Sequence, residues 1–210
     1  MSELLDNYII NHSDEEDKLL KRLNRDVHVN LLRPRMISGH LQGRIIKMLT
    51  RMIRPQQVLE LGTFAGYSAL CFAEGMDSGE VHTVDSDDEL EEFVSKYLDL
   101  SEHGHKVKQH IGNALEVIPQ FNDEQFDLVF IDADKRLYCE FFELAFPKVK
   151  KGGFIFADNT LWDGKVIEDP LPKDAQTQGI LKFNDMIAAD PRIEKVILPL
   201  RDGMTLIYKK

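Results

Sequence analysis

Only two cysteines occur in the chain, Cys71 and Cys139, and both fall inside apolar helical patterns. They read as buried thiols rather than as a disulfide scaffold or a metal centre. No uninterrupted apolar stretch approaches the length needed to cross a bilayer. The opening MSELLDNYII lacks the positive start, apolar centre and small-residue cleavage site of a secretory signal, so a cytoplasmic chain is expected. Basic residues are in deficit, 26 against 36 acidic ones for a net charge of -10, which argues against a surface that holds a nucleic-acid backbone by long-range attraction. Repeats, low-complexity tracts and linkers are missing too. What remains is 210 residues with 43% hydrophobic content, enough for one sizeable core and a single domain over residues 1–210.

Two patterns divide that domain. Residues 1–54 read as a helical extension, in which Ser13 to Glu16, SDEE, matches a capping box ahead of DKLLKRLNRDV. From residue 55 the period changes to short β-branched runs: QVLELG, EVHTVD, KVKQHI, FDLVFID, GGFIFAD, IEKVILPL and GMTLIYKK. Seven strands are expected, the first five parallel because the stretches between them accommodate helices. The last two runs are joined only by RDG, so the final strand is expected to run antiparallel. The fold class is therefore α/β: a Rossmann-like, mostly parallel seven-stranded sheet with helices on both faces. Ligands of such sheets gather at the carboxyl ends of the strands. Those ends carry Glu60 with Gly62, Asp85, Gly112 with Asn113, Asp132 with Asp134, and Asp158 with Asn159.

The first of these ends lies in VLELGTFAGYSAL, a strand, a glycine turn and a helix. The spacing is Glu-x-Gly-x-x-x-Gly, without the third glycine of a dinucleotide fingerprint. An acidic residue before the first glycine repels a pyrophosphate and suits an ammonium group. Asp85, at the end of the second strand, is placed to accept both hydroxyls of a ribose. A nucleoside carrying an amino acid satisfies both.

At this point the sequence resembles the class I S-adenosylmethionine-dependent methyltransferases, and more narrowly the metal-dependent catechol and caffeoyl-CoA O-methyltransferases. The resemblance runs in order through MISGHLQG, VLELGTFAGYSA, VDSD, GNALEVIP, FIDADK, ADNTLWDG and GMTLIYKK, nearly the whole chain. It implies S-adenosylmethionine as cofactor, with Glu60, Gly62 and Thr63 along the methionine part and Ser68 near its carboxylate. It further implies Asp85 on the ribose, Ala114 near the adenine, Ser38 closing the pocket, and Asp132 and Asp134 beside the cofactor. For Asp134, capping of the following helix is an equal explanation.

The run LVFIDADKR, entering the core and ending in two carboxylates and a lysine, marks the chemical end. Asp132, Asp158 and Asn159 bring three oxygen ligands to neighbouring strand ends. Two carboxylates and an amide select a hard cation, Mg²⁺ with Mn²⁺ or Ca²⁺ as substitutes, and disfavour zinc. Lys135, three residues after Asp132 and matching the family's catalytic lysine, is the expected general base. Trp162 and Asp163 are expected to wall a flat substrate ring, although Trp162 reads equally as a core anchor. Asp163 stands where plant members of the family commonly carry Asn. His40, His103, His105 and His110 belong to no ligand constellation and read as structural or exposed.

The expected activity is methyl transfer to one hydroxyl of a small catechol-like phenol, by a homodimer as in relatives of this kind. The alternative is a tRNA hydroxyuridine O-methyltransferase, for which a basic face at Arg33, Arg35, Arg44 and Lys47 is the feature to look for. A cofactor-binding protein without catalysis is disfavoured by the intact Asp132, Lys135, Asp158 and Asn159.

Overall fold

A computed structural model describes residues 3–210, so the first two residues of the expected extension lie outside it. The extension comprises α1 (Glu3–Asn11), α2 (Lys18–Asn30), a 3-10 turn at Pro34–Met36 and α3 (Gly39–Ile53). The capping-box expectation is corrected. Asp17 caps α2, accepting from the Leu19 amide at 2.8 Å, whereas Ser13 donates its hydroxyl back to the Ile9 carbonyl at 2.7 Å. Ser13 directly follows α1, where unpaired helix-end carbonyls outcompete the amides of a helix that begins later. The extension is fastened to the rest by polar contacts: Tyr67 donates to Glu16 at 2.6 Å, and Arg44 Nη2 donates to Glu74 at 2.6 Å.

The sheet holds β1 (Gln57–Leu61), β2 (Glu80–Asp85), β3 (Val107–Ile111), β4 (Phe126–Ile131), β5 (Val149–Asp158), β6 (Ile193–Leu198) and β7 (Met204–Lys209). Their spatial order is β3-β2-β1-β4-β5-β7-β6. β1 to β5 pair in parallel, and β7 is antiparallel to both β5 and β6. The helices between strands are α4 (Tyr67–Gly75), α5 (Glu91–Leu100), the short α6 (Ala114–Val117), α7 (Tyr138–Ala145) and α8 (Ala175–Ala189). The strands read as apolar runs because both faces are covered. Val58, Leu128 and Phe130 face a core with Ile46 and Phe72, while Leu59, Val129 and Ile131 face one with Phe142 and Phe183. Each fully buried Phe or Leu contributes roughly 1.5–3 kcal/mol, so the two cores hold the strand ends in fixed relation.

Strand order reverses between β1 and β4, and there the chains approach closely. Gly62 has φ +101, and a Cβ on it would lie 2.1 Å from the Asp132 carbonyl oxygen. A glycine expected to border the cofactor is thus also required by the contact between two strand ends. Gly66, at φ +76, starts α4. On the other side, a Cβ on Gly179 of α8 would lie 2.3 Å from the Lys135 carbonyl, so α8 clamps the turn that carries this lysine.

Candidate functional site

The carboxyl ends of the parallel strands open into a cavity of about 1100 Å³. Its lining includes Ser38, Gly62, Thr63, Ser68, Asp85, Ala114, Asp132, Asp134, Lys135, Asp158, Asn159 and Trp162. All but two of the residues singled out by sequence therefore share one wall system. Two lie outside the lining. Asp163 is exposed and turns away from the cavity, because its backbone at φ +53 follows Trp162 at φ +46 around a left-handed bend. Glu60 is fully buried behind the lining, on the strand face opposite Leu59 and Leu61.

At the β1–β2 end, acids are held by neutral donors. Thr83 donates to Glu60, and the Thr63 and Thr83 hydroxyls lie 2.6 Å apart. The other Glu60 oxygen, Oε1, is buried without a partner. Burial pushes the Glu60 carboxyl up to about 8, opposed by the Ser68 and Thr83 hydroxyls and reinforced by the charges of Asp132 and Asp85. Asp85 accepts from the Phe64 amide at 2.8 Å and the Asp87 amide at 3.1 Å, both backbone donors. Among the described residues, no cation pairs with either acid. An orphaned buried oxygen beside an acid-lined cavity fits a ligand that brings an ammonium group and hydroxyls. Ala114 begins α6, capped by Asn113, whose side chain accepts from the Leu115 amide at 3.0 Å.

At the β4–β5 end the acids are held by side chains. Lys135 is buried and donates to Asp132 Oδ1 and to the Tyr138 hydroxyl, each at 2.7 Å. Tyr138 in turn donates to the Asp158 carbonyl at 2.9 Å. Asp158 Oδ2 accepts from Gln42 Nε2 at 2.7 Å. Burial and the neighbouring Asp132 charge push the Asp158 carboxyl up. Two crowded carboxylates and the amide of Asn159 make an oxygen donor set suited to a hard cation. Among the described residues, no group of three or more His, Cys, Asp or Glu side chains gathers at metal-holding distance, in keeping with a set that counts only two carboxylates. Asp134 accepts from the Arg136 amide at 3.0 Å and pairs with its guanidinium, which is the capping explanation realised.

Trp162 lines the cavity and packs against the α7–α8 core at once, and its indole Nε1 is buried without a partner. His110 stacks on His82 with ring centroids 5.2 Å apart, away from the cavity lining. Sequence reading missed Gln42, Tyr138 and Arg201. Tyr138 carried a signal, since it lies one helical turn from Lys135; a buried Gln on α3 and an Arg in the β6–β7 loop carried none.

Comparison with known proteins decides what this cavity belongs to. Residues 10–210 match the family model described as O-methyltransferase. The chain belongs to that O-methyltransferase family. The methyltransferase is 34% identical over 208 residues to the "Probable caffeoyl-CoA O-methyltransferase 2" of Dictyostelium discoideum, spanning 97% of this chain and 90% of that one. It is 32% identical over 205 residues to the catechol O-methyltransferase of Niastella koreensis, spanning 93% and 91%. The solved O-methyltransferase of Bacillus cereus in complex with SAH superposes with a TM-score of 0.90 at 28% identity, covering 99% of this chain and 97% of that one. The methyltransferase is thus a class I S-adenosylmethionine-dependent enzyme related to the catechol and caffeoyl-CoA group. Among its described residues, no helix is long and apolar enough to cross a membrane.

Proposed function

We propose that this enzyme methylates one hydroxyl of a small catechol-like phenol, with a divalent cation, Mg²⁺ first and Mn²⁺ or Ca²⁺ as substitutes, held by Asp132, Asp158 and Asn159. The observation that carries the reading is the buried Lys135, 2.7 Å from Asp132, in the same cavity as Asp85. Cofactor and acceptor sites are thereby two ends of one space. Bound S-adenosylmethionine supplies a methyl group on a positively charged sulfur. A bound hard cation supplies a chelating point for two adjacent oxygens and favours ionisation of a hydroxyl.

The chain's own residues do the rest. Asp85 accepts the ribose hydroxyls, and Glu60 offers its unpartnered Oε1 as an acceptor behind the amino-acid end. Gly62, Thr63, Ser68 and Asp132 border that end, Ala114 and Asp134 border the nucleoside, and Ser38 closes the roof. Lys135 acts as the neutral amine: two N–H bonds donate to Asp132 and the Tyr138 hydroxyl, the Nζ lone pair takes the acceptor hydroxyl's proton, and the ammonium so formed is held by Asp132. Trp162 walls the acceptor ring. Because attacking oxygen and sulfonium lose their charges together, excluding water from this cavity lowers the barrier, and the two rigid cores supply alignment.

The tRNA alternative needs an open basic face. Arg44 donates to Glu74, at 2.6 Å for Nη2, and Lys47 pairs with the same carboxylate, so two of the four candidate cations are already engaged. This favours the small phenol. Residues 1–210 acting as one methyltransferase domain, a homodimeric state and a cytoplasmic location complete the reading. Methyl transfer from labelled S-adenosylmethionine tests it, using a catechol, the matching monophenol, and unmodified and hydroxylated tRNA, each with Mg²⁺ and after chelation. Transfer to the catechol alone, abolished by chelation, is expected. Equal turnover of the monophenol would sink two-oxygen binding, and transfer to hydroxylated tRNA would favour the alternative.

A further inference from the structure

Above the cavity, the segment through Ile37 and Ser38 forms a roof, and both residues belong to the lining. One side chain from the far end of the sequence reaches it. Arg201, in the loop between β6 and β7, donates through Nη1 to the carbonyls of Ile37, at 3.2 Å, and Ser38. The same nitrogen donates to Gln42 Oε1 at 2.7 Å. Gln42 is 1% exposed, and its amide nitrogen donates to Asp158 Oδ2 at 2.7 Å. The amide has only one workable orientation, since a guanidinium only donates and a carboxylate only accepts.

The loop bearing Arg201 is itself anchored. Leu161 donates its amide to the Asp202 carbonyl at 2.7 Å, and Thr160 donates to that of Gly203 at 3.0 Å. Arg201 is thus a post standing on the segment that directly follows Asp158 and Asn159. Roof, post and carboxylate close a ring in which the position of each member depends on the others.

We propose that Arg201 and Gln42 are positioning residues that tether the roof to Asp158, so that closing residues 37–38 over the cofactor and aiming the Asp158 carboxylate are one event. Arg201 holds the roof directly. Gln42 occupies one carboxylate oxygen and leaves the other for the cavity, as partners behind a ligating group do in metal sites. The roof part stands on geometry alone, and the part concerning Asp158 rests on the function proposed above.

Four proteins test it: the parent, Arg201→Met, Arg201→Lys and Gln42→Leu. Arg201 is exposed, so its variants are expected to fold. Hydrogen exchange of peptides covering residues 33–42 and calorimetric titration of S-adenosylhomocysteine read the roof. Arg201→Met should exchange there about tenfold faster and bind S-adenosylhomocysteine about tenfold more weakly, with Arg201→Lys recovering part of both losses. Mn²⁺ titration of the S-adenosylhomocysteine complexes, followed by the resonance of the free ion, reads Asp158. Gln42→Leu and Arg201→Met should each weaken Mn²⁺ about tenfold. Roof exchange and S-adenosylhomocysteine affinity within twofold of the parent in Arg201→Met overturn the tether. Parent-like Mn²⁺ affinity in both variants overturns the aiming of Asp158. A parent that binds no Mn²⁺ defeats the cation assignment, and with it the Asp158 half, while exchange still decides the roof half.

Discussion

The two ends of the cavity hold their acids by different means. At the β1–β2 end, Glu60 and Asp85 receive hydrogen bonds from hydroxyls and backbone amides, which carry no net charge. At the β4–β5 end, Asp132 receives the Lys135 ammonium and Asp158 the Gln42 amide. Neutral donors fix an acid without supplying a countercharge, so the first end is left with acids that no described cation neutralises and with one unpartnered oxygen, Glu60 Oε1, that a cationic ligand satisfies. The second end already owns a cation, held within one ion pair beside a crowded carboxylate. The difference is that the first end lacks a countercharge among the described residues and the second already contains one, which is what the proposed function requires of a cofactor end and a proton-transfer end.

The sharpest break in that contrast comes from the lysine. Lys135→Ala should lower kcat about a hundredfold or more, the usual cost of removing a positioned general base, and leave cofactor affinity within about twofold. Turnover of a catechol and calorimetric titration of S-adenosylhomocysteine check both halves. Unchanged kcat would reduce Lys135 to a structural ion pair. At the other end, Asp85→Ala should cost roughly 1.5–3 kcal/mol of cofactor affinity, about 10- to 150-fold, because a charged acceptor of hydroxyls is lost. Parent-like affinity in the folded variant would remove Asp85 from the ribose. Asp158→Ala should go the opposite way from Asp85→Ala: cofactor affinity is retained, while the divalent-ion concentration for half-maximal turnover rises about tenfold. If cofactor binding falls instead, the two ends are not separate.

A further expected effect is on stability rather than on binding or turnover. Glu60 is raised to about 8 in the folded chain from an ordinary value near 4.5, so between those pH values the folded state binds a proton that the unfolded state releases. Stability therefore falls as pH rises through this window. Glu60→Gln should remove that slope. Thermal melts of parent and variant between pH 5 and 8, without ligand, measure it, and parallel curves would show that Glu60 is ionised throughout.

Much of this was legible before any fold was seen. Strand runs, the glycine turn and the acids at strand ends are short-range patterns, governed by residue type and spacing within a few positions. The reversed final strand followed from the brief connection between the last two runs, although the loop is longer than RDG, with β6 ending at Leu198 and β7 starting at Met204. Asp134 as a cap was equally local. The α2 start was misplaced by one turn because two capping groups, Ser13 and Asp17, compete within four residues and only the helix ends decide between them. Asp163 falls outside the cavity lining for a related reason: the left-handed backbone around Trp162 has no glycine before it to announce the bend.

Sequence alone specified the order of strands and helices, the acids at the strand ends and the kind of ligand those acids suit, because each depends on neighbours along the chain. The tertiary structure decided which partners those acids receive. Gln42 meets Asp158 across 116 positions and Arg201 meets Gln42 across 159. Such contacts exist only once α3 has packed against the strand ends and the β6–β7 loop has folded back over them. Hydrogen bonds between residues so far apart leave no periodicity behind, since what selects them is the burial of a carboxylate that must find a donor in its own surroundings.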